Sequence, residues 1–386
     1  MLFVIFCGQQ ALSDRRRKPI VCPTGILGTV PLNPASISKA LVRGPNWLGD
    51  VVMSLPAVRA LRAALPAAEI AMVARPSVAD VYARESAIHR VIVYPKPRGL
   101  RDRRQLAARI RQERFDAAVL LPNAFDAALL AWMARIPLRI GYNRDARGLL
   151  LTHAVPAPQP GEIPRHQRFY YLELLRRAGL LEQYPKCDVI TLGGMDAARQ
   201  AGGRRLAALG IAGPVVGISP GAAYGAAKRW LPERFAESGG ELAGALRASV
   251  LLFGSAAERP LCETVAEPLR RAGIEARNLA GETTLGEFID LAAVCRLFLT
   301  NDSGAMHLAS ALEVPTVAVF GATDDGATGP AGSLARVVRE HAECSPCLLR
   351  ECPIDHRCMT RVSAARVTAA AAELLSGQTW TREARS

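Results

Sequence analysis

The side chains of this chain that could do chemistry sit in short polar clusters between apolar runs and helix-patterned segments. In residues 297–323, LFLTNDSGAMHLASALEVPTVAVFGAT, an apolar run ends at Asp302, Ser303 and Gly304 before a helical pattern begins. Free N–H groups at a helix start favour an anion. Asp302 adds an acceptor for hydroxyls, Ser303 a small donor, and Gly304 room for close backbone approach. Aspartate is also a common N-cap, so capping and ligand contact both remain open for Asp302. His307 falls one helical turn beyond Ser303 on the same face. It reads either as a contact for a diphosphate or as a satisfied core histidine.

Three further clusters repeat the strand–loop–helix pattern. Residues 41–61, LVRGPNWLGDVVMSLPAVRAL, place Asp50 at the start of an apolar helix, behind a loop of Gly44, Pro45, Asn46, Trp47 and Gly49. A helix dipole stabilises a carboxylate there. This predicts an Asp50 that is ionised at neutral pH and able to take a proton from a nearby hydroxyl, with an N-cap as the plainer alternative. Residues 215–237, VVGISPGAAYGAAKRWLPERFAE, end a strand at Ser219, Pro220 and Gly221, and bring Lys228 in behind a small-residue loop. Small residues let backbone N–H groups approach a phosphate, and lysine adds a point charge. A loop whose cations face water is the alternative. In SVLLFGSAAERP, residues 249–260, Glu258 stands at a helix start, placed either for a ribose hydroxyl or as a partner of the dipole.

The elements that must hold these residues form two series. Strands are expected over 39–43, 70–74, 90–94, 117–121 and 139–141, with helices over 50–65, 101–114, 125–134 and 166–178. The rhythm restarts with strands over 215–219, 250–253, 297–300 and 315–320, and helices over 232–246, 257–272, 285–294 and 303–312. Alternation of this kind implies parallel sheets covered on both faces. The expected class is α/β, two doubly wound Rossmann-like domains facing across a cleft. They would span 38–185 and 214–362, joined by a linker at 186–213 and followed by a helix and tail at 363–386. Residues 1–37 read as a poorly structured extension.

The 386 residues are half hydrophobic, with a mean hydropathy of +0.12 and a net charge of +13. No run reaches the roughly 18 apolar residues of a membrane span, and a cytosolic protein is expected. The positive field favours anionic partners. Without a zinc-finger pair or an RNA-binding aromatic motif, nucleic acid is disfavoured, leaving anionic small molecules and a membrane surface.

GDVVMSLPAVRAL, LPNAFDAALLAWMARIPLRIGYNRDARGLLLT, PGAAYGAAKRWLP, FGSAAE and TNDSGAMHLASALEVPTVAVFGATD occur in one order. From about Lys39 onward the chain thereby resembles glycosyltransferase family 9, the ADP-heptose:lipopolysaccharide heptosyltransferases, and most of all their heptosyltransferase II branch. The resemblance implies a GT-B fold with the donor held mainly by the C-terminal domain. It also implies inverting transfer of L-glycero-D-manno-heptose from ADP-heptose to the first heptose of the inner core on Kdo2-lipid A. Asp50 matches the family's proposed base, Lys228 the lysine on the donor diphosphate, and Glu258 the acidic residue near the ribose. Ser219 and Gly221 fall in the donor loop, and Asp302, Ser303, Gly304 and His307 in the donor-binding TND(S/T)G-x-x-H segment. The chain has Ala223 and Tyr224 where that branch usually has Glu and Phe. Another member of the family, or a nucleotide-sugar-binding protein without catalysis, are the competing readings. No Asp-x-Asp motif is present, so no catalytic metal is expected. The anionic acceptor would place the protein peripherally at the inner face of the cytoplasmic membrane.

Cys344, Cys347, Cys352 and Cys358 form CSPCLLRECPIDHRC. Four thiols so close could surround structural zinc or iron, although the spacing lacks the second C-x2-C of a usual zinc site. A reduced surface loop is the alternative.

Overall fold

The central strands are mostly apolar and buried almost throughout, and a strand buried on both faces must be covered on both sides, which favours parallel sheets flanked by helices. The computed structural model describes residues 32–383, with side chains described through residue 376. The first sheet contains β1 (Lys39–Arg43), β2 (Glu69–Ala74), β3 (Arg90–Val93), β4 (Ala117–Leu120), β5 (Leu138–Tyr142) and β6 (His153–Val155) in the order β3-β2-β1-β4-β5-β6. The second contains β7 (Val215–Ser219), β8 (Ser249–Leu252), β9 (Ala276–Asn278), β10 (Leu297–Asn301), β11 (Thr316–Phe320) and β12 (Ala335–Arg339) in the order β12-β11-β10-β7-β8-β9. All pairings are parallel. Each sheet therefore has the Rossmann strand order, with its reversal between β1 and β4 or between β7 and β10.

In chain order the helices are α1 (Leu48–Ala64), α2 (Ala79–Ala83), α3 (Leu100–Gln112), α4 (Phe125–Met133), α5 (Gln167–Arg177), α6 (Met195–Ala208) and α7 (Pro232–Leu246). They continue with α8 (Arg259–Arg271), α9 (Leu285–Ala292), α10 (Gly304–Ala311), α11 (Asp325–Thr328), α12 (Arg357–Thr360) and α13 (Ala364–Glu383). The inner strands fall where the apolar runs predict them. The strands β6, β9 and β12 were not expected. All three are sheet edges, and sequences such as ARN and ARVVR lack a continuous apolar run. The stretch expected as a linker carries α6, whose pattern is interrupted by Gly202 and Gly203. Gly202 is needed there: a Cβ on it would lie 2.1 Å from the Asp290 carbonyl oxygen of α9. Most of the expected N-terminal extension lies outside the described residues. From Asn33 the chain makes a short 3-10 turn, and Ile37 is buried.

The lobes meet where α1 and α10 begin. A Cβ on Gly49 would lie 2.8 Å from His307 Cδ2, and one on Gly304 would lie 2.6 Å from Leu48 Cβ. Glycine at both positions lets the two helix starts close on one another. Nearby, Arg84 pairs with Asp290 at 2.7 Å, and the Gly286 N–H donates to Asp80 at 2.8 Å, tying α2 to α9.

Helix α5 packs along α1 and is fixed by one buried carboxylate. Glu173, 1% exposed, accepts from Arg176 at 2.7 Å, Arg177 at 2.5 Å and the Tyr184 hydroxyl at 2.6 Å. Burial alone would raise its pKa, but the three donors outweigh that and hold it at about 2. A carboxyl depressed on folding contributes stability above its ordinary value of 4.5, and this is lost as pH falls toward 2. Replacing Glu173→Gln is expected to cost about 3 kcal/mol at neutral pH. In urea unfolding the deficit should shrink below pH 4.5, and an equal deficit at pH 3 and pH 7 would exclude the linkage.

Candidate active site

Asp50 lies in the first turn of α1, but it does not cap the helix. The N-cap is Trp47, whose side chain makes no capping bond and is 56% exposed. The Asp50 carboxylate instead accepts from the hydroxyl of Tyr171, on α5, at 2.9 Å. Burial raises the Asp50 carboxyl above its ordinary value, while the Tyr171 bond and the charge of Lys228 act the other way. Desolvation thus outweighs what favours the ion, and the direction is toward a stronger base, opposite to the pull of the helix dipole alone. Tyr171 is fully buried, and its own hydroxyl is pushed well up by burial and by Asp50, so it remains a donor.

On the other lobe, the loop after β7 folds back over the end of β10. Lys228 sits in a 3-10 turn, and its Nζ donates to Asp302 Oδ2 at 2.6 Å, with both side chains largely buried. Asp302 also accepts from the Thr323 hydroxyl. It is not the cap of α10; Ser303 is, accepting from the Met306 N–H. Asn301, in the same TND run, receives the Trp230 N–H at 2.9 Å and donates to the Pro220 carbonyl at 2.7 Å, pinning both ends of the lysine loop. The charge of Lys228 reaches both Asp50 and His307.

His307 is 5% exposed, and burial holds its pKa at about 4, so the ring is neutral at physiological pH. Its position against Gly49 makes it part of the lobe contact. Ser219 ends β7 and is buried, in register with Thr300 of β10. Gly221 and Glu258 are neighbours: a Cβ on Gly221 would lie 2.1 Å from Glu258 Oε1. The other oxygen, Oε2, closes a capping box with Ser255, accepting from its N–H at 2.9 Å and its hydroxyl at 2.8 Å. Glu258 is thus a helix-start partner with one oxygen turned toward the β7 loop. Asp50 follows β1, and Ser219, Gly221, Lys228 and Asp302 follow β7 and β10, beside the topological switch points where open α/β sheets hold ligands; Glu258, after β8, adjoins them through Gly221.

The cysteine segment behaves differently from the metal expectation. Among the described residues no group of three or more His, Cys, Asp or Glu is arranged to hold a metal ion. Cys344 is exposed, Cys347 and Cys352 are half-buried, and Cys358 is buried in α12. The Cys358 sulfur packs against the backbone of Gly321, where a Cβ would lie only 2.8 Å away. The structural zinc or iron expected at Cys344, Cys347, Cys352 and Cys358 is therefore not supported. What the segment does contact is the lysine loop. The Tyr224 hydroxyl donates to the Leu348 carbonyl at 2.9 Å, the Ala227 N–H to the Arg350 carbonyl at 2.9 Å, and a His356 ring nitrogen lies 3.0 Å from the Ala227 carbonyl oxygen. The Tyr224 ring has Lys228 at 5.0 Å and Arg350 at 5.2 Å.

Sequence reasoning missed Tyr171 and Thr323, because nothing local marks a tyrosine 121 residues from its carboxylate. It also missed the bracing of the lysine loop by residues 348–356, having read that segment for its sulfurs.

Known proteins resemble this chain in sequence and in fold. The family model for glycosyltransferase family 9 (heptosyltransferase) matches residues 103–357. Lipopolysaccharide heptosyltransferase 2 of Salmonella typhimurium is 34% identical over 316 residues, covering 78% of this chain and 88% of that protein. The Escherichia coli protein of the same name is 34% identical over 312 residues, with the same coverage. The solved structure of E. coli ADP-heptose LPS heptosyltransferase II superposes with a TM-score of 0.74 at 30% identity, over 88% of this chain and 99% of that one. Its two-lobed architecture is the GT-B fold seen here. With a family match over more than half its length, and relatives this similar over most of it, the chain belongs to glycosyltransferase family 9, the heptosyltransferases.

Proposed function

We propose that this enzyme transfers L-glycero-D-manno-heptose from ADP-heptose to the first heptose of the lipopolysaccharide inner core, on a Kdo2-lipid A acceptor, with inversion at the anomeric carbon. The reading rests chiefly on one juxtaposition: a buried, base-strengthened carboxylate on the first lobe lies within the field of a lysine on the second. The heptosyltransferase 2 relatives supply the sugar and the acceptor class.

In this mechanism Asp50 accepts the proton of the acceptor hydroxyl as its oxygen attacks the anomeric carbon. The bond from that carbon to the diphosphate breaks on the opposite face, and ADP leaves with the electron pair. Desolvation brings the Asp50 carboxyl closer to working pH, which suits a general base. Lys228, held in place by Asp302, offsets the charge growing on the diphosphate, and the start of α10 at Ser303 and Gly304 adds its N–H groups. Ser219 and Gly221 line the approach to the diphosphate, and Glu258 turns its free oxygen toward the ribose. Neutral His307 contributes a hydrogen bond rather than charge. No step needs a metal. Among the described residues no helix is long and apolar enough to cross a membrane. The net charge of +13 favours peripheral contact with an anionic inner-membrane face from the cytoplasmic side.

Transfer to Kdo2-lipid A carrying the first heptose, but not to the acceptor lacking it, with an inverted linkage by NMR, is the expected result. Product from the unheptosylated acceptor alone would refute the acceptor assignment. Asp50→Asn should lower kcat by about 10³-fold with ADP-heptose affinity nearly unchanged in calorimetry; wild-type turnover would remove Asp50 as the base. For Lys228→Ala, donor Kd should rise by about 10- to 100-fold, and an unaltered Kd would rule out the diphosphate role. Tyr171→Phe removes a bond that favours the Asp50 anion. The acidic limb of the kcat/KM profile should therefore move to higher pH, and a limb that stays put would show that this limb does not report Asp50.

A further inference from the structure

The carboxyl ends of three neighbouring strands in the first sheet converge on a second charged cluster, apart from the residues discussed above. Arg43 is the last residue of β1, Arg75 follows β2 directly, and Tyr94 follows β3. The two guanidinium groups lie over the Tyr94 ring, at 5.1 Å for Arg43 and 4.8 Å for Arg75. Arg43 is 4% exposed, yet among the described residues its hydrogen bonds go to neutral oxygens, the Gly44 carbonyl and Asn46 Oδ1, the latter at 2.7 Å. Among the described residues, neither arginine has a carboxylate within ion-pair distance. Asp126 lies within the field of Arg43 but is committed to Arg103 at 2.7 Å. The Tyr94 hydroxyl is buried and, among the described residues, has no hydrogen-bond partner.

Burying a guanidinium without a counter-ion is costly, and an orphaned hydroxyl beside it adds to the cost. Both are explained if an anion completes the cluster. Tyr82 links the neighbourhood to the helix that carries the base. A Cβ on Gly44 would meet the Tyr82 hydroxyl at 2.6 Å, and that hydroxyl lies 3.2 Å from Ser54 Oγ, one turn along α1 from Asp50. We propose that Arg43, Arg75 and the Tyr94 hydroxyl form a subsite for an oxyanion of the acceptor, a carboxylate or a phosphate, and so hold the acceptor beside Asp50. The subsite rests on the acceptor reading given above and deepens it: it assigns to three residues the recognition of the acceptor's charge. Arginine suits this role because its fork matches both oxyanions.

The test compares wild type with Arg75→Gln and the isosteric Tyr94→Phe on three acceptors. These are heptosylated Kdo2-lipid A, the same molecule with its lipid A phosphates removed, and the same molecule with its Kdo carboxylates methyl-esterified. Arg75→Gln should raise the KM of the intact acceptor by about 10-fold or more, and Tyr94→Phe by a few-fold, with the donor KM and the melting temperature near wild type. The penalty should vanish on whichever acceptor lacks the bound oxyanion, so the same experiment separates carboxylate from phosphate. An unchanged acceptor KM in both variants, or a penalty undiminished on both altered acceptors, would overturn the subsite while leaving the reaction intact. A wild-type enzyme that fails on the intact acceptor would instead overturn the acceptor reading, and the subsite with it.

Discussion

The contact between the starts of α1 and α10 is the constraint on which the rest of the site depends. Two Rossmann units each offer a switch point, but neither alone holds the whole set of residues proposed for catalysis. Asp50 belongs to the first sheet, and Lys228 and Asp302 to the second. They come within electrostatic reach only because Gly49 admits the His307 ring and Gly304 admits Leu48. A side chain at either glycine would push the helix starts apart, and charge interactions weaken with distance and with any water that enters. The lobe contact therefore sets both the spacing and the dielectric of the site.

Within that geometry, each charged group is positioned before substrate arrives. A free lysine side chain loses up to about 2 kcal/mol of rotamer entropy when fixed. The bond to Asp302 orders Lys228 in advance, and Thr323 orders Asp302 in turn. The proposed base is treated differently. Among the described residues Asp50 has one neutral donor, Tyr171, so desolvation dominates and the carboxyl rises rather than falls. Glu173, four donor bonds and two residues further along α5, goes the opposite way. The contrast separates a carboxyl raised by burial from one kept ionised to hold the helix that carries Tyr171.

The loop bearing Lys228 has little apolar area of its own, being mostly glycine and alanine. Its rigidity is supplied from outside, by Asn301 at its ends and by residues 348–356 along its length. Gly225 permits this, since a Cβ there would sit 2.2 Å from the Arg350 carbonyl oxygen. The substitution pattern Ala223-Tyr224 takes on meaning in this setting: Tyr224 spans from Lys228 to the cysteine-bearing segment by its ring and its hydroxyl. That segment thus has a structural role that requires none of its thiols to bind metal.

Much of this was written into the linear chain. Strands buried on both faces announce themselves as mostly apolar runs, so β1, β7, β10 and their neighbours, and the longer helices between them, were legible, while the short α2 was not. Also legible were the places of Asp50, Lys228 and Asp302, because each lies in the strand–loop–helix connection that follows such a run. The edge strands β6, β9 and β12 were not, since an edge needs less apolar sequence, and α6 was hidden by its paired glycines. What each functional side chain does with its charge was decided only in three dimensions. Capping and ligand-facing aspartates look alike in sequence; burial and the arrival of Tyr171 or Lys228 from distant segments distinguish them. Desolvation and pairing depend on which groups meet across the fold, and spacing along the chain carries no record of that.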